Sequence, residues 1–246
     1  MQIDIDLLGL QPMDGCYFSR SRLAYLMVKN IVDSLVSLLL LLFSSPIFFI
    51  IGLLTLIDSG GPVFFVQKRM GAKLVKRQGI WCWQPTEFSC YKFRTMINDA
   101  DPSLHQSYMK AFIHNDSREM AEIQGDDTKT LKLIHDPRVT RVGKFLRKSS
   151  LDELPQLWNV VRGEMSLVGP RPAIPYEVEL YEPWHRKRLE AKPGITGLWQ
   201  VTARSSSDFD TSVKLDIEYV ERQSFWLDLT IILKTPLVVL SGKGAC

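Results

Sequence analysis

The chain has little of what marks a disulfide-stapled protein, a zinc module or a nucleic-acid binder. It carries four cysteines in 246 residues, Cys16, Cys82, Cys90 and Cys246, and none stand at Cys-x-x-Cys spacing. That excludes a disulfide framework or metal site read from spacing, and places the soluble part in the reducing cytoplasm. The four histidines, His105, His114, His135 and His185, are scattered without metal-ligand spacing. The net charge is only +3, with no zinc-finger, RNP or heptad pattern, so nucleic acid is not an expected partner. Residues 1–20 lack the basic stretch, apolar core and cleavage site of a secretory leader. No internal repeat, low-complexity tract or flexible interdomain linker is found. The length suits one sizeable domain with a membrane element, and the mild basic balance suits an anionic membrane surface and phosphate substrates.

What the chain does have is one long apolar run. Leu35 to Ile57 is apolar over 23 residues apart from small polar groups, with Ser44-Ser45-Pro46 in its middle, and its length would span a bilayer. Arg20, Arg22 and Lys29 precede it, and Lys68, Arg69, Lys73, Lys76 and Arg77 follow it, which puts both ends in the cytoplasm by the positive-inside rule. Ser45 and Pro46 then mark a break. Asp33 to Ser44 and Ile47 to Ile57 would each be about 16 to 18 Å long, half of a ~30 Å hydrocarbon core. The expectation is a re-entrant helix hairpin in one leaflet; a Pro-kinked spanning helix is the alternative.

Downstream, Val63 to Gln67 and Phe88 to Thr95 read as short strands, separated by a loop carrying Trp81, Trp83 and Pro85. Lys92 and Arg94 are two apart, hence on one strand face, where they offer cations or are simply solvated. Ser103 to Ile123 is helix-prone but polar and mixed, Leu131 to Ile134 reads as a strand, and Arg141 to Lys148 as a short helix with a basic end. Beyond it Asp152 and Glu153 stand together before Leu154-Pro155. Either Ser150 caps the helix in a capping box with Glu153, or Asp152 is the cap and Pro155 falls in the first turn; the second is preferred because Pro155 then deletes no hydrogen bond. In both, the helix dipole favours ionised carboxylates, which are nucleophiles or metal ligands before they are acids. Plain caps are the bland alternative.

The helix from this pair runs to about Val161, Met165 to Val168 reads as a buried strand, and Gly169-Pro170-Arg171-Pro172 turns out of it. Two prolines restrict the backbone carrying a guanidinium suited to phosphate oxygens. Glu177 to Ala191 reads as a helix interrupted at Pro183, Lys192 to Val201 as turn plus strand, and Asp208 to Arg222 as an amphipathic helix. Phe225 to Leu240, apolar and 16 residues long, is expected to lie in the membrane interface. The implied fold class is α+β: a membrane-associated catalytic domain of helices with a small antiparallel sheet on the re-entrant hairpin. Its parts are a prelude (1–28), the re-entrant helix (29–58), the catalytic domain (59–224) and an interfacial helix with tail (225–246).

Six blocks, in order, carry a resemblance: Gly61 to Gly71, Tyr91 to Met96, Asp136 to Thr140, Leu151 to Gln156, Ser166 to Pro172 and Lys192 to Val201. The chain resembles the bacterial sugar transferases, or monotopic phosphoglycosyl transferases, over about Lys29 to Leu240. The resemblance implies transfer of a sugar 1-phosphate from a UDP-sugar to undecaprenyl phosphate, releasing UMP, as the first membrane step of polysaccharide or glycoconjugate assembly. It implies that Asp152 is the nucleophile that carries a phosphosugar intermediate, and that Asp152 and Glu153 bind Mg²⁺, or Mn²⁺ in its place. Arg147 and Arg171, with Lys92 and Arg94 on the strand face, would hold phosphate. Membrane lipid and a second copy of the chain are the further implied partners, and the bacterial inner membrane the location, with the catalytic domain on its cytoplasmic face. The chain looks like the short form of the family, without an added block of spanning helices; Lys73 to Phe88 and Ser103 to Lys129 match no family pattern. Competing readings are a membrane-attached glycosyltransferase that releases UDP and a non-catalytic membrane scaffold.

Overall fold

The structure is a computed structural model that describes residues 18–98, 101–124, 136–203 and 208–240. The expected strand at Leu131 to Ile134, residues 1–17 of the prelude and the tail beyond Leu240 lie outside the described residues.

Arg20–Ser59 forms one unbroken helix, α1, whose length and composition would suffice to cross a membrane. This corrects the expectation of two half-helices parted at Ser45 and Pro46. Pro46 has no N–H for the carbonyl of Leu42, but the Ser45 hydroxyl donates to that carbonyl at 2.8 Å, and the Ser44 hydroxyl donates to Leu40 O at 2.6 Å. The Ser45 hydroxyl thus takes over the one backbone acceptor that Pro46 frees, which is how apolar helices tolerate proline.

One face of α1 lies on the rest of the protein both before and after Pro46. Asp33, Ser37, Ile51 and Thr55 are buried, while Leu42, Phe43, Phe49 and Ile57 are exposed. Before the proline, Arg22 donates to Val220 O at 2.7 Å, Lys29 pairs with Asp228 at 2.8 Å and Asp33 accepts from the Ser166 hydroxyl at 2.5 Å. After it, Phe48 and Ile51 pack with Phe93 and Leu146, and Asp58 accepts from Val142 N at 2.9 Å.

Next comes a long antiparallel hairpin, β1 (Phe64–Arg77) and β2 (Ile80–Phe93), in register from Phe64 opposite Phe93 to Arg77 opposite Ile80. The stretch expected as a loop, with Trp81, Trp83 and Pro85, is the far half of this ribbon. Gln78 and Gly79 both take positive φ, +48° and +85°, the pattern of a two-residue turn whose twist matches that of the strands.

The polar stretch from Ser103 is two helices, α2 (Ser103–Ile113) and α3 (Ser117–Gln124), parted where Asn115 turns left-handed and Asp116 accepts from Arg118 N and Glu119 N. Then follow α4 (Arg141–Ser149), capped by Thr140 accepting from Gly143 N, and, after one turn, α5 (Gln156–Val161). A two-stranded parallel sheet joins β3 (Ser166–Val168) to β4 (Gly194–Thr196). Between them the expected helix from Glu177 is only α6 (Pro175–Glu179) followed by a 3₁₀ segment, Pro183–Leu189. Leu198 to Thr202, expected as strand, is helix α7, with Trp199 buried. α8 (Phe209–Arg222) is capped by Asp208, and α9 spans Phe225–Leu240 with Phe225, Trp226, Leu233 and Leu237 exposed. The main core joins Met70 of β1 to Tyr108 and Phe112 of α2, Val178 of α6 and Phe209 and Val213 of α8.

Asn159 fastens α5 to the outer edge of β2. Its amide donates to Ser89 O (2.7 Å) and Glu164 Oε2 (2.7 Å) and accepts from Tyr91 N (3.1 Å), with the residue fully buried. The side chain thereby supplies what a neighbouring strand would offer that edge. Asn159→Ala orphans two backbone groups and should cost about 2–6 kcal/mol, at 1–3 kcal/mol for each buried unsatisfied group. Thermal unfolding in detergent reads this, and an unchanged midpoint would show that the amide does not hold the strand.

Candidate active site

The carboxylate pair stands on a tight corner. Ser150 ends α4 in the left-handed conformation, φ +57°, a place usually given to glycine, and the chain reverses into a 3₁₀ turn, Leu151–Glu153. Asp152 is therefore inside that turn rather than the N-cap of α5, which corrects the preferred reading. Pro155 caps α5 instead, where its missing N–H costs nothing.

Asp152 is buried, and Glu153 is half-buried with Oε1 at 2.7 Å from the Lys92 ammonium. Docking of α5 on β2 through Asn159 brings that pair together. Glu153 and Lys92 line a small cavity with Arg69, Gln156, Arg171 and Gln200. Asp152 is one residue back and is not part of that lining. Cys90 also faces the cavity, where burial pushes its thiol up and keeps it protonated near neutral pH.

Arg171 owes its place to a close backbone contact. β3 and β4 approach so tightly that a Cβ on Gly169 would be 2.3 Å from Lys192 O and one on Gly194 2.1 Å from Gly169 N. Gly194 N donates to Pro170 O at 2.8 Å and Gly169 N to Thr196 O at 2.9 Å. These bonds hold the Pro170-Arg171-Pro172 turn, and Arg69 completes it by donating to Pro172 O at 2.9 Å. The buried Arg69 is a site cation that sequence reasoning counted only as membrane-flanking charge; its Gln67 partner, at 2.7 Å and two residues back on the same strand face, is the signal that was available.

A second cavity adjoins the first and shares Arg69, Arg171 and Pro172 with it; His105, Glu177, Arg188 and Trp199 form other parts of its wall. Burial, reinforced by the charges of Arg69, Arg171, Arg138 and Arg147, pushes the His105 imidazole down to about 4. It is therefore neutral near pH 7, with Nδ1 at 2.9 Å from the Tyr176 hydroxyl. Arg147, on the last turn of α4, contributes to this field of positive charge. Arg94 does not join the pair: β2 ends at Phe93, and the Arg94 guanidinium is engaged by Ser59 Oγ at 2.8 Å and by Asn98. Arg94 instead fastens the end of α1. Ser45 and Pro46 lie far along α1 with no part in the site.

Among the described residues no cluster of three or more His, Cys, Asp or Glu could cage a metal. A hard cation would have Asp152 and Glu153 alone, a donor set that suits Mg²⁺ completed by substrate phosphates and water.

The family model described as bacterial sugar transferase matches residues 24–242. The undecaprenyl-phosphate galactose phosphotransferase of Salmonella typhimurium is 41% identical over 218 residues, 89% of this chain and 41% of the relative. The galactosyl transferase CpsE of Streptococcus agalactiae is 45% identical over 187 residues, 76% of this chain and 36% of the relative. The exopolysaccharide production protein ExoY of Rhizobium meliloti is 41% identical over 219 residues, 89% of this chain and 88% of the relative. The chain thus spans about two fifths of the first two relatives and nearly all of the third. A match of this extent, running through both the carboxylate corner and the arginine turn, shows that the chain belongs to the bacterial sugar transferase family.

Proposed function

We propose that the chain transfers a sugar 1-phosphate from a UDP-sugar to undecaprenyl phosphate, releasing UMP, by way of a phosphosugar on Asp152. The carrying observation is the convergence of Glu153 with Lys92, Arg69 and Arg171, drawn from three other segments, beside the buried Asp152. Both substrates are phosphate anions, and the donor's charge must be matched before a carboxylate can approach it. Arg69 and Arg171 hold phosphate oxygens. An Asp152 oxygen attacks the β-phosphorus, the bond to the α-phosphate oxygen breaks, and UMP leaves with the electron pair. An oxygen of undecaprenyl phosphate then attacks the same phosphorus, which frees the carboxylate and forms the lipid diphosphate sugar. Two steps handle fewer charges at once than one direct encounter.

Lys92 neutralises Glu153 and makes it the poorer nucleophile of the two; Glu153 orients and Asp152 attacks. Mg²⁺, with Mn²⁺ as substitute, would be held by Asp152 and Glu153 and would neutralise charge on the departing nucleotide. For the sugar, relatives in Salmonella typhimurium and Erwinia amylovora are named for galactose and UDP-galactose, so a hexose is the first donor to test.

α1 serves this chemistry by holding the site beside a lipid phosphate. Polar residues on both sides of its exposed apolar stretch grip one and the same domain, Arg22, Lys29 and Asp33 before it and Asp58 and Ser59 after it. A helix that crossed the bilayer would carry those two sets to opposite faces. The re-entrant reading, with both ends at the cytoplasmic face of the inner membrane and α9 in the interface, is kept on this ground.

Incubation with UDP-galactose, other UDP-hexoses and Mg²⁺, without lipid acceptor, should release about one UMP per active site and leave a sugar-phosphate adduct on the intact protein. Asp152→Asn should lower turnover by at least 10³-fold with folding intact; full activity would remove Asp152 as nucleophile, and UDP as product would make the protein a glycosyltransferase. In a background without native cysteines, single cysteines at Arg20 and Lys76 should both react only from the cytoplasmic side. Labelling from opposite sides would restore a spanning helix.

A further inference from the structure

A third cavity, of about 340 Å³, lies between the first turns of α1, the far half of the hairpin and the segment just before β4. No residue lines both it and the cavity of the carboxylate pair. Lys29, Lys73 and Lys192 reach its wall; Lys29 is committed to Asp228 at 2.8 Å and to Asp33 at 3.4 Å, and Asp33 is also bonded to Ser166, so Lys73 and Lys192 are the ammonium groups left to face a guest. Lys192 is half-buried; its hydrogen bond goes to the neutral Asn30 amide, and no carboxylate is paired with it among the described residues. Burial holds the Lys192 ammonium below the ordinary lysine value; Asp33 opposes this, and Lys29 and Lys73 add to it. Asn30, Ser166 and Gln223 are the uncharged polar residues on the same wall. A half-buried ammonium with no carboxylate paired to it, next to the exposed Lys73 and uncharged polar side chains, is a receptor for an anion.

The other walls are apolar and say where that anion comes from. Leu26, Met27, Leu74 and Trp83 complete the lining. From Met27 an exposed stripe continues along one face of α1 through Ile31 and Leu35, each 55–59% exposed, into the apolar run. The lysines thus lie one to two turns outside the stretch read as hydrocarbon-embedded, at headgroup depth, with an apolar track leading inward. A phosphate group with a hydrocarbon tail fits both halves; a free anion leaves the track unused.

We infer that this cavity holds the headgroup of an anionic glycerophospholipid, a resident lipid rather than the reacting one, with its phosphate on Lys192 and Lys73 and its polar hydroxyls towards Gln223. The inference rests on the membrane placement of α1 proposed above, but not on the reaction assigned to Asp152.

Native mass spectrometry of the full chain in detergent tests it, with phosphatidylglycerol, phosphatidylcholine, decaprenyl phosphate and inorganic phosphate as probes. Phosphatidylglycerol should bind at least tenfold more tightly than phosphatidylcholine. Lys192→Gln and the exposed Lys73→Glu should each weaken phosphatidylglycerol about tenfold and leave phosphatidylcholine unchanged. Equal binding of the two phospholipids, or wild-type affinity in Lys73→Glu, whose fold is not at risk, overturns the site. Displacement of phosphatidylglycerol by equimolar decaprenyl phosphate would overturn the resident-lipid assignment in favour of the acceptor. Displacement by inorganic phosphate, lost in Lys192→Gln, would reduce the cavity to a free-anion site. UMP release measured on the same preparations separates the readings: lipid selectivity without UMP release strikes only the proposed reaction.

Discussion

The arrangement depends on a buried polar knot that ties α1 to the strand leading into the arginine turn. Asp228 of α9 meets the Tyr25 hydroxyl at 2.7 Å and the Lys29 ammonium at 2.8 Å through one oxygen, and the Tyr219 hydroxyl at 2.7 Å through the other. Lys29 reaches on to Asp33, which accepts from the hydroxyl of Ser166, the first residue of β3. Two carboxylates and one ammonium in a largely dry site must satisfy one another, because breaking such a cluster leaves an uncompensated charge. Their pairing therefore fixes α1, α8, α9 and β3 as a unit. Three residues past Ser166 the chain enters Gly169-Pro170-Arg171-Pro172, so the apolar helix α1 and the Arg171 guanidinium are positioned by the same contacts.

A second restraint sets the opposite wall of the site. The glycine-to-glycine approach of β3 and β4 fixes the arginine turn, and Asn159 fixes the β2 edge from which Lys92 extends. The carboxylate corner lies between these two, at the left-handed Ser150. Each wall is held by hydrogen bonds to backbone groups, from the facing strand and from the buried side chains of Asn159 and Arg69. Cations carried on such walls are aimed before substrate arrives, and little ordering remains to be done on binding.

Much of this was legible in one dimension. Helical spacing marked α4, α8 and α9, and the carboxylate pair, the proline-locked Arg171 and the strand cation Lys92 stood out by residue type. What was missed depended on contacts between distant segments. Asn159 reads as an ordinary polar position between Trp158 and Val160, and only the β2 edge 70 residues away makes it a strand mimic. Arg69 belongs to a basic run that suits a membrane flank, and its burial follows from the return of Pro172 to β1. The far half of the hairpin was hidden because Gln-Gly is a weaker turn signal than Asn-Gly and because Pro85 argues against strand. Leu198 to Val201 has strand-like composition, yet the packing of Trp199 beside the second cavity makes it helix. The unbroken α1 has a serine hydroxyl on the carbonyl freed by Pro46, which a proline rule does not count.

The sharing of Arg69 and Arg171 between two adjoining cavities bears on how a two-step transfer is ordered. A guanidinium between two compartments can hold one phosphate group from either side, and it carries too little charge to hold two dianions strongly at once. In the two-step transfer proposed above, departure of one anion would then strengthen the field offered to the next. The neutral His105 supports the same economy of charge: a cationic imidazole there would be a further positive group among four arginines, and burial removes it. A site built in this way favours taking its anions in turn, which is the order that a covalent carboxylate intermediate requires.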